Sequence, residues 1–253
     1  MRFASLGSGS KGNSTIIESG LTIVLVDCGF GIKSLLTRLL ARDVTPEQIT
    51  AILITHEHSD HWKGVEALSA KFNIPVYLSA GCFKARSISV ESKNFHIIDS
   101  HTDFVLGDLS VTPVPVPHDA REPIQFVLSD GNLRLGILTD LGHCTPHVIS
   151  IYSKCHGLLV EANYDEEMLA RGPYPRFLKD RVSGLFGHLS NRQMLDLLEN
   201  LDLIDLQRLV LGHISDKNNH TKIISALLST VDLGGTSIAF ADQESGSEWQ
   251  QLG

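Results

Sequence analysis

Cysteine is scarce in this sequence, and the four residues present lie far apart, at Cys28, Cys82, Cys144 and Cys155. No two of them form a C-x-x-C pair, which argues against a disulfide framework and against a cysteine zinc knuckle. We therefore expect reduced thiols that are mostly buried.

Long apolar runs are also absent, since no stretch reaches the roughly 18 residues needed to cross a bilayer. The segment Met1–Gly7 becomes glycine-rich too early to be a secretory signal. We expect a mature N-terminus, no membrane association and a cytoplasmic location.

An excess of positive charge is missing as well, because the net charge is −8. Proteins that coat nucleic acid have the opposite balance, although an acidic enzyme can still hold a few phosphates in a local basic cleft. No repeat, low-complexity block or Pro/Gly-rich linker divides the sequence, so residues 1–253 are expected to form one domain. The sequence leaves the oligomeric state open.

Short apolar runs rich in β-branched residues are interspersed with helical patterns. The predicted strands are Thr15–Ile17, Leu21–Val26, Ala51–Thr55, Val76–Leu78, Leu109–Val116, Ile124–Leu128, Leu133–Leu138, Gly157–Val160, Arg208–Leu211 and Ser237–Phe240. The predicted helices are Gly31–Arg42, Trp62–Phe72, His147–Tyr152, Asp165–Arg171, Asn191–Leu201 and Lys222–Thr230. Strands and helices do not alternate strictly, and the pattern favours an α+β fold of two sheets packed face to face with helices outside.

The segment from Gly7 to Gly12 matches G-x-G-x-x-G, and Asp27 follows about 20 residues after the first glycine, as in a dinucleotide-binding fingerprint. That fingerprint requires a helix directly after the glycines, whereas Asn13–Val26 has the pattern of a β-hairpin with Ser19-Gly20 as its turn. We do not expect a nucleotide site here. A tight loop whose backbone amides bind an anion remains open.

The strongest signal is His56-x-His58-x-Asp60-His61, which directly follows the predicted strand Ala51–Thr55. Three imidazoles and a carboxylate would be costly to bury without a partner. Imidazole and carboxylate together suit Zn²⁺, Mn²⁺ or Fe²⁺, and the lack of cysteine argues against a purely structural zinc site. The segment therefore predicts a metal site.

Further candidate ligands follow apolar strands in the same way. They are Asp27 after Ile23–Val26, His118 after Val111–Pro117, Asp140 after Leu135–Thr139 and His213 after Leu209–Gly212. Strand ends hold side chains rigidly, as the narrow geometric tolerance of a metal site requires.

The order of these clusters resembles the five successive motifs of the metallo-β-lactamase superfamily. The resemblance implies an αββα sandwich, with two mixed sheets face to face and helices outside, that holds two divalent metal ions. Carried over residue by residue, it implies one metal at His56, His58 and His118, a second at Asp60, His61 and His213, and Asp140 as the bridge. Asp27 would orient the loop that carries the ligands.

Departures from the superfamily pattern narrow the branch. A redox di-iron member would carry Glu at the position of His58, and a β-lactamase of the common kind would carry Cys near Asp140. The interval between Asp140 and His213 is too short for the large inserted domain of the ribonuclease J-like and cleavage-factor nucleases. The sequence is thus similar to the hydrolytic two-metal members.

Two other segments resemble ribonuclease Z, namely Val160-Glu161-Ala162-Asn163 and Gly187-His188-Leu189-Ser190-Asn191. In that enzyme a Glu–His pair beside the metals relays protons. With Ser8–Asn13 and Thr55–His61, the resemblance is to the bacterial YycJ/WalJ-like branch, whose members are regarded as 5′→3′ exonucleases acting on DNA. It implies that Asp60, His188 and Glu161 are catalytic, with His188 as a general acid oriented by Glu161.

The function predicted from the sequence is therefore that of a two-metal phosphodiesterase, with nucleic acid, and DNA before RNA, as the substrate. An excess of basic residues over Asp180 between positions 171 and 192 could follow a phosphate backbone; these are Arg171, Arg176, Lys179, Arg181 and Arg192. Two alternatives stay open: a hydrolase of a small ester, thioester, lactone or cyclic phosphodiester, and a metal-bound regulatory module without activity.

Six of the twelve histidines have no strand-end context and are predicted to be surface or structural residues, although His143 lies close to Asp140 in sequence. They are His96, His101, His143, His147, His156 and His220.

Overall fold

The computed structural model describes residues 1–253 and contains two seven-stranded mixed sheets. The first sheet has the order β14 (Gln250–Gln251), β1 (Arg2–Gly7), β2 (Ser14–Ser19), β3 (Thr22–Val26), β4 (Ala51–Leu53), β5 (Val76–Ser79) and β6 (Phe95–Ile98). Its strands pair antiparallel from β14 to β3 and parallel from β3 to β6.

The second sheet repeats this arrangement. Its order is β13 (Ser237–Phe240), β12 (Arg208–Gly212), β11 (Gly157–Glu161), β10 (Arg134–Leu138), β9 (Ile124–Ser129), β8 (Leu109–Pro115) and β7 (Phe104–Leu106). Pairing is antiparallel from β7 to β10 and parallel from β10 to β13. The expected pair of mixed sheets is confirmed.

The two sheets share one apolar core. Phe3, Val24 and Leu53 of the first sheet belong to the same buried cluster as Phe126 and Leu159 of the second. Successive side chains of a strand point to opposite faces of the sheet, so the apolar side chains on the outer face of each sheet need a second covering layer.

Helices cover both outer faces. The nine helices of the chain are α1 (Ile32–Leu40), α2 (Ser59–Trp62), α3 (Val65–Phe72), α4 (Ala80–Ala85), α5 (Pro146–Tyr152), α6 (Glu166–Arg171), α7 (Arg176–Val182), α8 (Asn191–Asn200) and α9 (Thr221–Leu228), with a 3₁₀ turn at Pro46–Gln48. Leu35 of α1 and Leu68 of α3 pack on the first sheet, and Leu195 of α8 and Ile224 of α9 pack on the second. No helix is both long and apolar enough to span a bilayer.

Most predicted elements are present, with two kinds of difference. The predicted helix Trp62–Phe72 begins at Val65 instead, since Trp62 ends the separate short helix α2 and the amide of Gly64 donates to the carbonyl of Cys28. Strands β1, β6, β7 and β14 and helices α2, α4 and α7 were not predicted. The capping box at Ser190 and Gln193 and the hairpin of β2 and β3 are confirmed.

The fold brings the strand ends together. Strands β3 and β4 are parallel, as are β10, β11 and β12, and β8 runs in the direction of β10 because two antiparallel pairings separate them. The residues that follow β3, β4, β8, β10 and β12 therefore leave their sheets at the same end of the sandwich.

Candidate metal centre

Three predicted site residues leave their strands through a left-handed backbone turn. Asp27 has φ 64°, Asp140 has φ 55° and His213 has φ 50°. Non-glycine residues rarely adopt this region, and such strain concentrates at functional sites where the surrounding structure imposes it.

His56, His58 and His118 form the first cluster of donors. The Nε2 atom of His56 lies 3.0 Å from Nδ1 of His58, and Nε2 of His118 lies 3.3 Å from the same Nδ1. Burial, and next the charge of His61, hold the pKa of His56 well below its usual value. A neutral imidazole with an available lone pair is the form that binds a metal.

Asp140 connects this region with a second cluster. One group of converging donors is His56, His61 and Asp140, and another is Asp140, Glu161, His188 and His213. Asp140 Oδ2 lies 3.3 Å from Nε2 of His61, and Asp140 Oδ1 lies 3.0 Å from Nδ1 of His213. These groups share donors, so the fold and the clusters together indicate a dinuclear site.

The chemistry of the donors fits divalent metal ions. Asp140 Oδ2 and His213 Nδ1 are buried, and although each has a polar neighbour at 3.0–3.3 Å, neither makes a hydrogen bond of good geometry within the protein. Leaving buried polar atoms unpaired costs free energy, and such atoms call for an explanation such as a bound ion. Imidazole nitrogens and a carboxylate supply the ligands that zinc and similar ions take.

Asp60 lies at the edge of these clusters. Its Oδ2 is 3.7 Å from Nε2 of His61 and 3.5 Å from Nδ2 of Asn13, and its side chain faces the cavity beside His58. It belongs to none of the three converging groups. Its role as a ligand of the second metal stays a prediction.

Asp27 holds the histidine loop in place. Its carboxylate accepts hydrogen bonds from the amide of Thr55 at 2.9 Å and from the Thr55 hydroxyl at 2.8 Å, and lies 2.7 Å from Nδ1 of His61. Burial lowers the pKa of His61, but Asp140 and Asp27 outweigh it and raise that pKa to about 9. With Nδ1 bound to Asp27, the Nε2 atom of His61 faces Asp140.

Three backbone amides of the glycine loop are already used within the protein. Gly9 N donates to Asn13 Oδ1, Gly12 N donates to Gly9 O, and Lys11 N donates to Gln243 Oε1. The alternative of an anion-binding loop is therefore wrong for these three amides.

The same loop contacts two of the candidate ligands instead. Nδ2 of Asn13 lies 3.1 Å from Nε2 of His61, and Ser8 Oγ accepts the amide of His213 at 2.8 Å. Neither residue was among the predicted site residues. The G-x-G-x-x-G pattern indicated a tight loop but did not predict that this loop contacts His61 and His213.

Glu161 is fully buried at the end of β11 and supports two other segments of the site. Its carboxylate accepts hydrogen bonds from the amides of Asp140 at 3.1 Å, Leu141 at 3.2 Å and Leu189 at 2.7 Å. Burial opposes ionisation, but His188 outweighs it and lowers the pKa of Glu161 to about 2.

His188 lies where the resemblance placed it, next to Glu161. Its Nδ1 is 3.1 Å from Glu161 Oε2, and its ring is 5.0 Å from that of His213 between centroids. The Nε2 atom makes no hydrogen bond within the protein, and the side chain lines a cavity of about 400 Å³. The arrangement fits an imidazole whose free nitrogen faces a bound ligand.

The cavity has two walls. One is formed by Leu178, Arg181 and Val182 of α7 together with Tyr174, two residues before that helix, and the other by Ser10, Ile214 and Ser215. The base is formed by His58, Asp60, Asp140, His188 and His213. Exposed Ser10 and Ser59 are part of the lining, so the cavity opens to solvent.

Asp119 is a site residue that the sequence did not reveal. Its Oδ1 lies 3.4 Å from Nε2 of His118 and 3.8 Å from Nε2 of His58, and its Oδ2 accepts a hydrogen bond from Nε of Arg181 at 2.5 Å. Its position directly after His118 was the only available signal.

Three of the five basic residues between positions 171 and 192 form ion pairs, two of them with acids outside that segment. Arg171 pairs with Glu167, Arg176 with Asp180 and Arg192 with Asp196, each four residues apart on an exposed helix surface. Lys179 donates to the carbonyl of Ala170. Of the five predicted basic residues, only Arg181 lines the cavity.

The histidines predicted to lie outside the site do so. His143 Nδ1 contacts the carbonyl of Leu185, His156 accepts the amide of Arg134, and His220 caps α9. His96 stacks on Tyr77, and neither His101 nor His147 belongs to a cluster of metal donors. All four cysteines are free, and three of them are buried.

Two face-to-face mixed sheets, covered by helices and carrying His/Asp clusters at one end, define the metal-dependent hydrolases of the metallo-β-lactamase fold. The chain belongs to the β-lactamase superfamily, since the model of the β-lactamase superfamily domain matches residues 22–214.

Individual relatives agree with this assignment. The chain is 32% identical over 243 residues to exodeoxyribonuclease WalJ of Streptococcus pneumoniae, which covers 92% of this chain and 90% of the relative. It is 28% identical over 236 residues to exodeoxyribonuclease YycJ of Bacillus anthracis, covering 91% and 89%. The crystal structure of the metallo-β-lactamase fold protein YhfI from Bacillus subtilis superimposes with a TM-score of 0.76 over 98% of both chains at 14% identity, a likeness of fold.

Proposed function

We propose that this chain is a two-metal-dependent phosphodiesterase that removes nucleotides from DNA in the 5′→3′ direction. The observation that carries the proposal is the contact between His188 and buried Glu161 beside Asp140 and His213. Relatives that share about nine-tenths of their length with the chain are named exodeoxyribonucleases, which supports DNA as the substrate.

The metal assignment is part of the proposal. His56, His58 and His118 would hold one ion, Asp60, His61 and His213 the other, and Asp140 would bridge them, with Zn²⁺ or Mn²⁺ as the leading candidates and Fe²⁺ as a third. Two such ions supply a nucleophile from water at neutral pH and neutralise the charge that grows on a phosphoryl group.

The protein's own residues would do the rest. With Nδ1 held by Glu161, His188 would present Nε2 to the leaving oxygen and donate a proton there. Asp27 fixes His61 in the orientation that turns Nε2 toward Asp140. Leu178 and Val182 form an apolar wall that limits water in the cavity.

Residues 1–253 would form one domain, because both sheets contribute to one core and both halves of the chain contribute candidate ligands. A cytoplasmic location is also proposed. A single cooperative unfolding transition, seen equally by circular dichroism and by tryptophan fluorescence, would support one domain.

The deciding experiment loads the protein with Mn²⁺ or Zn²⁺ and supplies end-labelled single- and double-stranded DNA, RNA and a small phosphodiester. Elemental analysis should give about two ions per chain, and Asp140→Ala should lose both ions and serve as the inactive control. Immediate release of a 5′-terminal label as mononucleotide, with gradual shortening of 3′-labelled DNA, is the expected result.

Lactone, thioester and β-lactam substrates complete the experiment. Efficient cleavage of one of them with every nucleic acid left intact would overturn the phosphodiesterase assignment and favour a small-substrate hydrolase. Two bound ions with no turnover of any substrate would favour a regulatory module.

A further inference from the structure

Arg181 differs from the other cations of its segment in where it lies. Arg171 and Arg176 have side chains that are 81% and 93% exposed and pair with acids on their own helices. Arg181 lies on the face of α7 that borders the cavity, together with Leu178 and Val182. Its charge therefore acts within the site.

The carboxylate of Asp119, the residue after His118, holds Arg181 in this position. Nε of Arg181 donates to Asp119 Oδ2, and the backbone amide of Asp119 donates to the carbonyl of Phe186 at 3.0 Å, beyond the end of α7. Asp119 is thus bound to α7 by its side chain and to the following loop by its backbone. The guanidinium is fixed before any ligand binds, which lowers the entropy cost of binding.

The remaining donors of Arg181 are free. Only Nε is used within the protein, and the side chain is 57% exposed and lines the cavity, so both Nη nitrogens can contact a ligand. A guanidinium fork matches the oxygens of a phosphate group, and it contacts them as two parallel hydrogen bonds.

The position of Arg181 relative to the candidate metal ligands indicates which phosphate of a bound strand it would contact. Asp119 lies between Arg181 and His118, so the guanidinium is one carboxylate away from the ligand cluster and not part of it. A phosphate under attack must lie over the ligands, whereas a group bound by Arg181 lies beside them.

We propose that Arg181 is a phosphate-binding residue that holds the phosphate next to the scissile one, and that Asp119 is its positioning residue. The proposal rests on the proposed function for the identity of the strand. Arg181 would thus recognise a strand by a second phosphate, which a small phosphodiester does not possess.

The test compares Arg181→Ala with Arg171→Ala, which removes the same charge from an exposed site on the preceding helix. A lost charge-assisted contact of about 1.5–3 kcal/mol predicts that Arg181→Ala raises KM for single-stranded DNA by about tenfold or more, with kcat changed far less. Cleavage of bis(p-nitrophenyl) phosphate should change far less than cleavage of DNA, and Arg171→Ala should resemble the wild type in both assays.

Salt dependence gives a readout that a structural role would not change. Binding of a labelled single-stranded oligonucleotide should lose one phosphate contact, so the slope of log Kd against log salt should fall by about 0.7 for Arg181→Ala. Arg181→Lys should recover part of the affinity, and Asp119→Asn, with metal content verified, should show a smaller rise of KM.

Equal effects of Arg181→Ala and Arg171→Ala would overturn the proposal, as would equal losses on DNA and on the small phosphodiester. If the wild type cleaves no nucleic acid, the proposed function fails, and oligonucleotide binding then decides on Arg181 by itself. Unchanged binding and an unchanged salt slope in Arg181→Ala would overturn the phosphate assignment whatever the enzyme's activity.

Discussion

Among single residues, His188 is the one for which two roles can be separated by experiment. Its Nδ1 lies 3.1 Å from Glu161 and 3.5 Å from Asp140, so it could act on the substrate or complete a metal site. If it donates a proton, His188→Ala should keep both metals and lower the rate by about 10²–10⁴-fold. A nitrophenyl leaving group needs no proton and should lose much less, as steady-state kinetics on both substrates would reveal. Loss of a metal would identify His188 as a ligand.

Glu161 has a wider role than the relay to His188 that its sequence context predicted. Both oxygens accept backbone amides, from Asp140 on one side and from Leu141 and Leu189 on the other. In Glu161→Gln the amide nitrogen would face at least one of these donors, and an unpaired buried group costs about 1–3 kcal/mol. We expect lower metal occupancy and lower stability, measured by elemental analysis and urea unfolding. Glu167→Gln, the same change at an exposed position, should be neutral.

Between elements, a close backbone contact packs Asp60 of α2 against Gly29, in the turn after β3. A Cβ built on Gly29 would lie 1.8 Å from the backbone oxygen of Asp60, while the amide of Gly29 donates to the carbonyl of Asn13. Gly29→Ala must therefore displace the loop that carries Asp60 and His61. Overpacking of this kind costs about 1–3 kcal/mol. We expect a folded protein that binds fewer than two metals, checked by circular dichroism and elemental analysis.

Gly31→Ala is the matched control, because the nearest atom to a Cβ there is Lys63 Cε at 4.0 Å. Full metal content in Gly29→Ala would mean that the loop tolerates displacement.

The strands that carry the site were predictable, whereas α7 was not, and the reason is physical. Strands such as β4 and β10 are continuous apolar runs because both of their faces are buried. Helix α7 has no buried residue and does not pack on a core, so its sequence does not need the wide apolar stripe by which such helices are predicted. Its Leu178 and Val182 face the cavity instead.

Residues whose role depends on long-range contacts were also missed. Asp119 acts through Arg181, 62 positions away, and Ser8 through His213, 205 positions away. No local pattern encodes such pairs. The candidate ligands stood out because each group of them follows an apolar strand, His56–His61 after β4 and His118, Asp140 and His213 after β8, β10 and β12; their role as ligands and their assignment to particular metals remain predictions.

For the molecule as a whole, the site couples stability to pH. In the metal-free protein Asp140 and Asp27 outweigh burial and raise the pKa of His61 to about 9, above its ordinary value of 6.5. A raised pKa in the folded state means that protonated His61 stabilises the fold below about pH 6.5, and that this contribution is lost as the pH rises through about 9. The titratable groups that face His61 are Asp27, Asp60, Asp140, His56 and His213.

We therefore expect the Tm of the chelator-treated protein to fall between about pH 6.5 and 9, while metal affinity rises over the same range because the bound proton competes with the ion. Differential scanning calorimetry with and without metal would measure both trends. A flat profile for the metal-free protein would contradict this account of His61.

The pairing of β14 with β1 places the two ends of the chain side by side, with Phe3 opposite Gln250 and the amide of Leu252 bonded to the carbonyl of Met1. A short glycine–serine segment could therefore join Gly253 to Met1, and the chain could be opened instead at exposed His101, between β6 and β7. In such a circular permutant β14 would lead directly into β1, and each sheet would be formed by one uninterrupted stretch of chain. We expect the permutant to bind two metals and to unfold in one transition, measured by elemental analysis and calorimetry, because His56 and Asp140 would still meet across the same interface between the sheets.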